Sequence, residues 1–231
     1  MTKVRYPTMT FVMGQVSATG WEKYMLSADV KELDLQSLLA DNANIPGFTY
    51  IPDYINASQA EQLLLTIDQQ IWSTQLKRKV QHYGYKYDYK KRLLDPSMNL
   101  GTLPNWAQDI AQKFYLEGLT EKIPDQAIVN EYQPGQGIAN HIDCVPCFGN
   151  TIISLSLGGT CVMEFTHAKT KEKIPVLLMP RSIIIRQGAA RYEWQHGIVP
   201  RKTDKYQGRE FVRDRRVSLT FRKVRLSEQS D

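Results

Sequence analysis

Histidine and cysteine are scarce in this chain: four of the first and three of the second among 231 residues. Cys144, Cys147 and Cys161 do not make a disulfide scaffold, which excludes the small stapled secreted folds and points to a reducing cytoplasm. No apolar run approaches the ~20 residues of a membrane-spanning helix. The N-terminus has no cationic segment followed by an apolar core and a small-residue cleavage site, so secretion is not expected. Internal repeats and low-complexity tracts are missing too. What remains is ordinary: 42% hydrophobic and 23% charged residues, the balance of a globular protein. The length suits one domain with a full core. A cytoplasmic monomer with no membrane partner is the expectation.

The net charge of +5 is not spread evenly. Lys77, Arg78, Lys79, Lys86, Lys90, Lys91 and Arg92 stand against Asp88 alone, so this window carries more than the whole excess. A local basic patch of this kind fits a polyanion.

Asp41-Asn-Ala-Asn44 followed by Pro46-Gly47 reads as a loop. It separates an N-terminal extension, 1–44, from a compact domain, 45–231. Ser58-Gln-Ala-Glu61 has the form of a capping box. Leu64, Ile67 and Ile71 follow at helical spacing, which predicts a helix over 58–72. Trp106, Ile110 and Phe114 recur every fourth residue and predict a second helix that stops near Gly118. After Pro124 the pattern changes. Residues 127–132, 151–157, 160–165, 175–179, 182–186 and 216–224 are short β-branched and aromatic runs between Gly, Pro and Asn. Helices first and strands later predict an α+β, mainly β chain: a β-sandwich or jelly roll with the N-terminal helices packed outside.

His141-Ile-Asp143 and His196 are the candidate metal ligands. Two imidazoles and a carboxylate can hold one face of an octahedral Fe(II) and leave positions open for a chelating acid and O₂. On a regular strand His141 and Asp143 would point to the same face, and His196 would come from another strand. A lone His-x-Asp is weak evidence, since a surface pair or a buried histidine oriented by an acid shows the same spacing. The surroundings favour the metal. Gly-rich turns flank the pair, and His196 sits in Tyr192-Glu-Trp-Gln-His196-Gly-Ile198, where aromatic neighbours can exclude water. Arg216 and Arg222 lie at even separation on one predicted strand, so both can face inward, and a buried arginine needs an anion. Structural ion pairing is the plainer use of both.

Asn130-Glu-Tyr132-Gln-Pro-Gly-Gln-Gly-Ile138, His141-Ile-Asp143, Ser154-Leu-Ser-Leu157, Trp194-Gln-His196-Gly-Ile198 and Arg216-x₅-Arg222 together resemble the AlkB family of Fe(II)- and 2-oxoglutarate-dependent dioxygenases. The resemblance runs from about Pro46 to Val224. It implies a double-stranded β-helix with a nucleotide-recognition lid, and Fe(II), 2-oxoglutarate and O₂ as cofactor and cosubstrates. It also implies site roles. His141, Asp143 and His196 would ligate iron. Tyr132 and Arg216 would hold the distal carboxylate of 2-oxoglutarate, and Asn130 and Arg222 its iron-proximal end. Ser218 is a lesser candidate, where the family has Asn or another small polar residue. The implied reaction oxidises an alkylated or otherwise modified nucleobase in DNA or RNA, by oxidative demethylation or by hydroxylation of a tRNA base.

Tyr83, Tyr85, Tyr87 and Tyr89 alternate with Gly84, Lys86, Asp88 and Lys90, which on a strand would share one face and could stack on bases. A half-buried strand with a solvated basic face would show the same pattern. Arg78-Lys-Val-Gln81-His-Tyr83-Gly84 resembles the lid segment of the family, so Arg78, Gln81, Tyr83 and Tyr85 are the candidate substrate contacts. Where DNA-repair members usually carry an acid two residues past the iron-binding Asp, this chain has Val145. Its wording in Val162-Met-Glu-Phe165 and Thr220-Phe-Arg-Lys-Val-Arg225 is similar to the branch that hydroxylates modified wobble uridine in tRNA. Cys144-Val-Pro-Cys147 can be redox-active or half a zinc site, but no second pair stands at zinc spacing, and pocket lining is the expectation. Two alternatives stay open: a dioxygenase acting on a protein side chain, and a non-catalytic nucleic-acid binder with a vestigial site.

Overall fold

The computed structural model describes residues 44–88 and 93–226. Most of the proposed extension, together with Tyr89 and the Lys90-Lys91-Arg92 cations, lies outside the described residues. The first helix, α1 (Ala57–Asp68), is capped by Asn56, whose side chain accepts from the Gln59 amide while the Gln59 side chain accepts from the Asn56 amide. The capping box is thus two residues upstream of the expected Ser58/Glu61 pair. An Asn is as good a cap as Ser, and it precedes Ala60, Leu63 and Ile67, which form the buried stripe. Ile71 falls beyond the helix and is 93% exposed, so the predicted C-terminal turn does not form. Helix α2 (Asn105–Leu116) buries Ala107, Ala111 and Phe114 and is followed by Gly118 at φ +70°.

Every expected strand forms, with ends shifted by a few residues at most. Six strands make one antiparallel sheet in the order β1 (Phe48–Ile51), β8 (Ile183–Arg186), β5 (Phe148–Gly158), β12 (Arg216–Val224), β3 (Gln126–Tyr132), β2 (Lys79–Tyr83). Four make a second, in the order β4 (Ile138–His141), β9 (Trp194–Ile198), β6 (Cys161–His167), β7 (Lys173–Leu178). A hairpin of β10 (Thr203–Tyr206) and β11 (Arg209–Val212) stands apart, and a short helix α3 (Gly188–Tyr192) joins β8 to β9. The chain is mainly β.

Strand period decides what each face holds. On β12, Val217, Leu219 and Phe221 turn to one side and join Ala127 and Val129 of β3, Ile153 and Leu155 of β5, and the apolar stripes of α1 and α2 in one core. The alternate residues of the same strands turn toward the second sheet, whose own core holds Met163, Phe165, Trp194 and Ile198. Between the sheets lies a cavity of about 720 Å³, lined by residues of both.

Candidate active site

His141 ends β4 and pairs directly with His196 on β9. Their rings lie 4.4 Å apart between centroids. The approach depends on Gly197, where a Cβ would stand 2.1 Å from Asn140 Oδ1 and 2.9 Å from the Asn140 amide. Asp143 is past the end of β4, in the loop to β5, so it reaches the same point by leaving the strand and not by strand alternation. The ligand atoms of His141, Asp143 and His196 all lie within 4.8 Å of one another.

The protonation states of all three suit a metal ion. His141 Nδ1 donates to the Ala139 carbonyl at 2.8 Å, which turns the Nε2 lone pair outward. Burial lowers the basicity of both imidazoles, and in His196 the Arg186 guanidinium lowers it further, so both are neutral donors. Burial alone would raise the Asp143 carboxyl. Arg222 and Arg186 outweigh it and hold the group well below the usual carboxylate range. Two neutral imidazoles and an ionised carboxylate are the protonation states that a divalent ion requires.

The loop that carries Asp143 is buttressed from below. The buried Arg191 of α3 donates to the Asp143 carbonyl at 2.9 Å and to the Cys144 carbonyl at 3.0 Å. Its place in Gly188-Ala-Ala-Arg191-Tyr192 gave no sequence signal. Cys144 and Cys147 form a disulfide across the same loop, with Cα atoms 5.3 Å apart. The turn at 145–147 brings the two within bridging distance, so the pair is not half of a zinc site. Cys144 does line the cavity, and Cys161 is free and buried.

The cavity face of β12 runs Arg216, Ser218, Thr220, Arg222, and all four line the space. Cross-strand pairing sets Arg216 beside Tyr132 and Ser218 beside Asn130. Arg216 donates through Nη2 to Ser156 Oγ at 2.9 Å, while its Nε and Nη1 are buried with no hydrogen-bond partner. Buried guanidinium nitrogens without partners are costly, and an anion in the cavity would satisfy them. Arg222 stands at the metal end: Nη2 donates to Asp143 Oδ1 at 2.6 Å, and Nε is buried and unpartnered. The donor set therefore fits a metal ion with a carboxylate ligand.

A family model described as the 2OG-Fe(II) oxygenase superfamily matches residues 68–222. The chain belongs to that superfamily. The chain is similar to proteins named for AlkB, and it spans less than two thirds of the length of the ALKBH8 relatives. It is 38% identical to the "Alkylated DNA repair protein ALKBH8 homolog" of Arabidopsis thaliana, over 82% of this chain and 61% of the relative. An uncharacterized protein of Acanthamoeba polyphaga mimivirus is also 38% identical, over 78% of this chain and 86% of the other. The Xenopus tropicalis "tRNA (carboxymethyluridine(34)-5-O)-methyltransferase alkbh8" is 37% identical over 79% of this chain, which spans only 32% of that protein. Among solved structures, "The structure of OsALKBH1" superposes with a TM-score of 0.57 at 18% identity, over 77% of this chain and 97% of the other, and shows a shared fold.

The expected substrate contacts divide in the structure. Arg78 lines the cavity, and its Nε donates to Asn130 Oδ1 at 2.8 Å. Gln81 and Tyr83 do not line it. They pair with Val129 and Ala127, whose side chains belong to the helix-side core. The buried Gln81 Nε2 donates to the Ile67 carbonyl at the end of α1, and Tyr83 packs edge-on against Trp106. Tyr85 follows Gly84, which is at φ +76° and ends the strand, and it packs on the small cluster around Cys144, Cys147 and Phe148. The tyrosines therefore do not share one face. Tyr87 does reach the cavity, with Leu76 and Lys77. A further residue missed from sequence is Arg186, buried in the cavity at the end of an isoleucine run.

Proposed function

We propose that this oxygenase oxidises a modified base in RNA, with tRNA as the first substrate class and DNA as the second. The reading rests on one observation: the His141/Asp143/His196 cluster and the Arg216/Arg222 pair share one cavity, rimmed by Lys77 and Arg78. In it His141, Asp143 and His196 hold the iron. Tyr132 and Arg216 take the distal carboxylate of 2-oxoglutarate. Asn130, Ser218 and Arg222 surround the end nearer the metal. The fold is the double-stranded β-helix, 45–231 is the catalytic domain, and Leu76, Lys77, Arg78 and Tyr87 form the lid side of the cavity.

Fe(II), 2-oxoglutarate and O₂ supply, when bound, an oxidant able to hydroxylate a substrate C–H bond, with succinate and CO₂ released. The chain's own task is to bind and orient. Arg222 fixes Asp143 by one oxygen, Ala139 fixes the tautomer of His141, and Arg191 anchors the loop between them. The apolar walls given by Ile128, Met163 and Ile184 keep water from the reacting carbon. Lys77 is exposed at the mouth, placed to meet a phosphate while an extruded base enters.

Incubation with Fe(II) and 2-oxoglutarate of bulk tRNA, methylated RNA and methylated DNA side by side tests the reading. Mass spectrometry should find a +16 or formaldehyde-releasing product in RNA. Succinate release with no nucleic-acid product would count against a nucleobase substrate. No succinate under any condition would remove the catalytic reading.

A further inference from the structure

Three arginines, Arg186, Arg216 and Arg222, are buried in the cavity against a single buried carboxylate, Asp143. Arg216 and Arg222 have roles above; Arg186 has none. Strand β8 places it there by alternation: Ile183 and Ile185 join the helix-side core, while Ile184 and Arg186 face the cavity. Arg186 is 3% exposed. Its Nη1 lies 2.9 Å from Asp143 Oδ2, and 2.7 and 2.9 Å from Nε2 and Nδ1 of His196. Its Nε is buried with no hydrogen-bond partner.

That position collides with metal binding. Asp143 Oδ2 and His196 Nε2 are 3.7 Å apart. An ion held by both at ordinary bond lengths of about 2.1 Å would sit within roughly 3 Å of Nη1, whichever side of the pair it took. A guanidinium does not deprotonate in a protein, so it can neither coordinate the ion nor shed its charge. The arginine must swing away when the metal enters. The cavity is large enough to receive it, but the buried charge is then more positive than before by two. A dicarboxylate cancels that excess.

We propose that Arg186 is a resident cation of the triad, displaced by the metal ion and then held by the carboxylate of the cosubstrate, so that metal and 2-oxoglutarate bind cooperatively through it. The inference rests on the triad being the metal site. Coupling of this kind is reciprocal: whatever factor 2-oxoglutarate adds to metal affinity, the metal adds to 2-oxoglutarate affinity.

Mn(II) binding to the metal-free protein, followed by titration calorimetry with and without 2-oxoglutarate, tests it. Arg186→Met removes the charge at similar volume and should fold, because Asp143 keeps its second buried partner, Arg222, at 2.6 Å; Arg186→Gln is the second variant. Both should bind Mn(II) alone at least tenfold more tightly than the native chain. In the native chain 2-oxoglutarate should raise Mn(II) affinity at least tenfold, and in the variants by much less. Equal or weaker Mn(II) binding by the variants, with the native protein still binding, overturns the role of Arg186 and leaves the metal site standing. No Mn(II) binding by any of the three overturns the metal site and this inference with it.

Discussion

Strand β12 carries Val217, Leu219 and Phe221 on one face of the large sheet and Arg216, Ser218, Thr220 and Arg222 on the other, and both faces are buried. The helix-side face is closed by α1 and α2, and the buried charge it carries beside Val217, Glu131, is met by Arg215 at 2.7 Å. The cavity-side face carries charges whose hydrogen-bonding capacity is left partly unmet. One face therefore lowers the free energy of the fold, and the other raises it unless ligands arrive. Burial does not separate structural from functional residues in this chain; the parity of the strand does.

The comparison can be broken at several points. Asp143→Ala on the cavity side should have the largest effect, lowering Mn(II) affinity by more than the ~100-fold that losing a mere supporting partner can cause. A native-like affinity in the same titration would mean that the metal, if any, sits elsewhere. Leu219→Ala, on the other face of the same strand as Arg222, should cost about 2–5 kcal/mol in denaturant unfolding, with 2-oxoglutarate affinity unchanged in the folded fraction. Arg216→Met should weaken 2-oxoglutarate by ~10–100-fold, the worth of a charge-assisted hydrogen bond or two. Its thermal midpoint should hold or rise, since two unpartnered buried nitrogens disappear. A fall of several degrees would show that the cavity-side charges support the fold after all. The smallest effect belongs to β2. Gln81→Leu should lose about 1 kcal/mol with its bond to Ile67 and leave tRNA binding unchanged. Lys77→Glu at the cavity mouth should weaken tRNA binding and flatten its salt dependence.

Much of this was legible in the residues. On β12 the alternation of aliphatic and polar positions is written out, so the inward turn of Arg216 and Arg222 followed from the sequence. The His141/Asp143/His196 set was legible by residue type, though Asp143 arrives from a loop. On β2 the same reasoning failed by one residue. Gln81 and Tyr83 share a parity with Lys79, but which parity meets the cavity is set by pairing with β3, and that register is not local information. Tyr85 was lost to Gly84, whose left-handed backbone ends the strand against the Asp125 carbonyl. Arg186 carried no mark beyond a charge after three isoleucines. Arg191 and the Cys144–Cys147 bridge act through contacts to a loop that only the folded chain brings near.

Gly197 holds no proton, metal or anion, yet any side chain there would drive β9 away from Asn140 and part His141 from His196. In a library of all single substitutions, position 197 should be as intolerant as the three ligands. A map of intolerance alone would thus draw the active site one residue too wide, and the glycine would be the residue to strike from it.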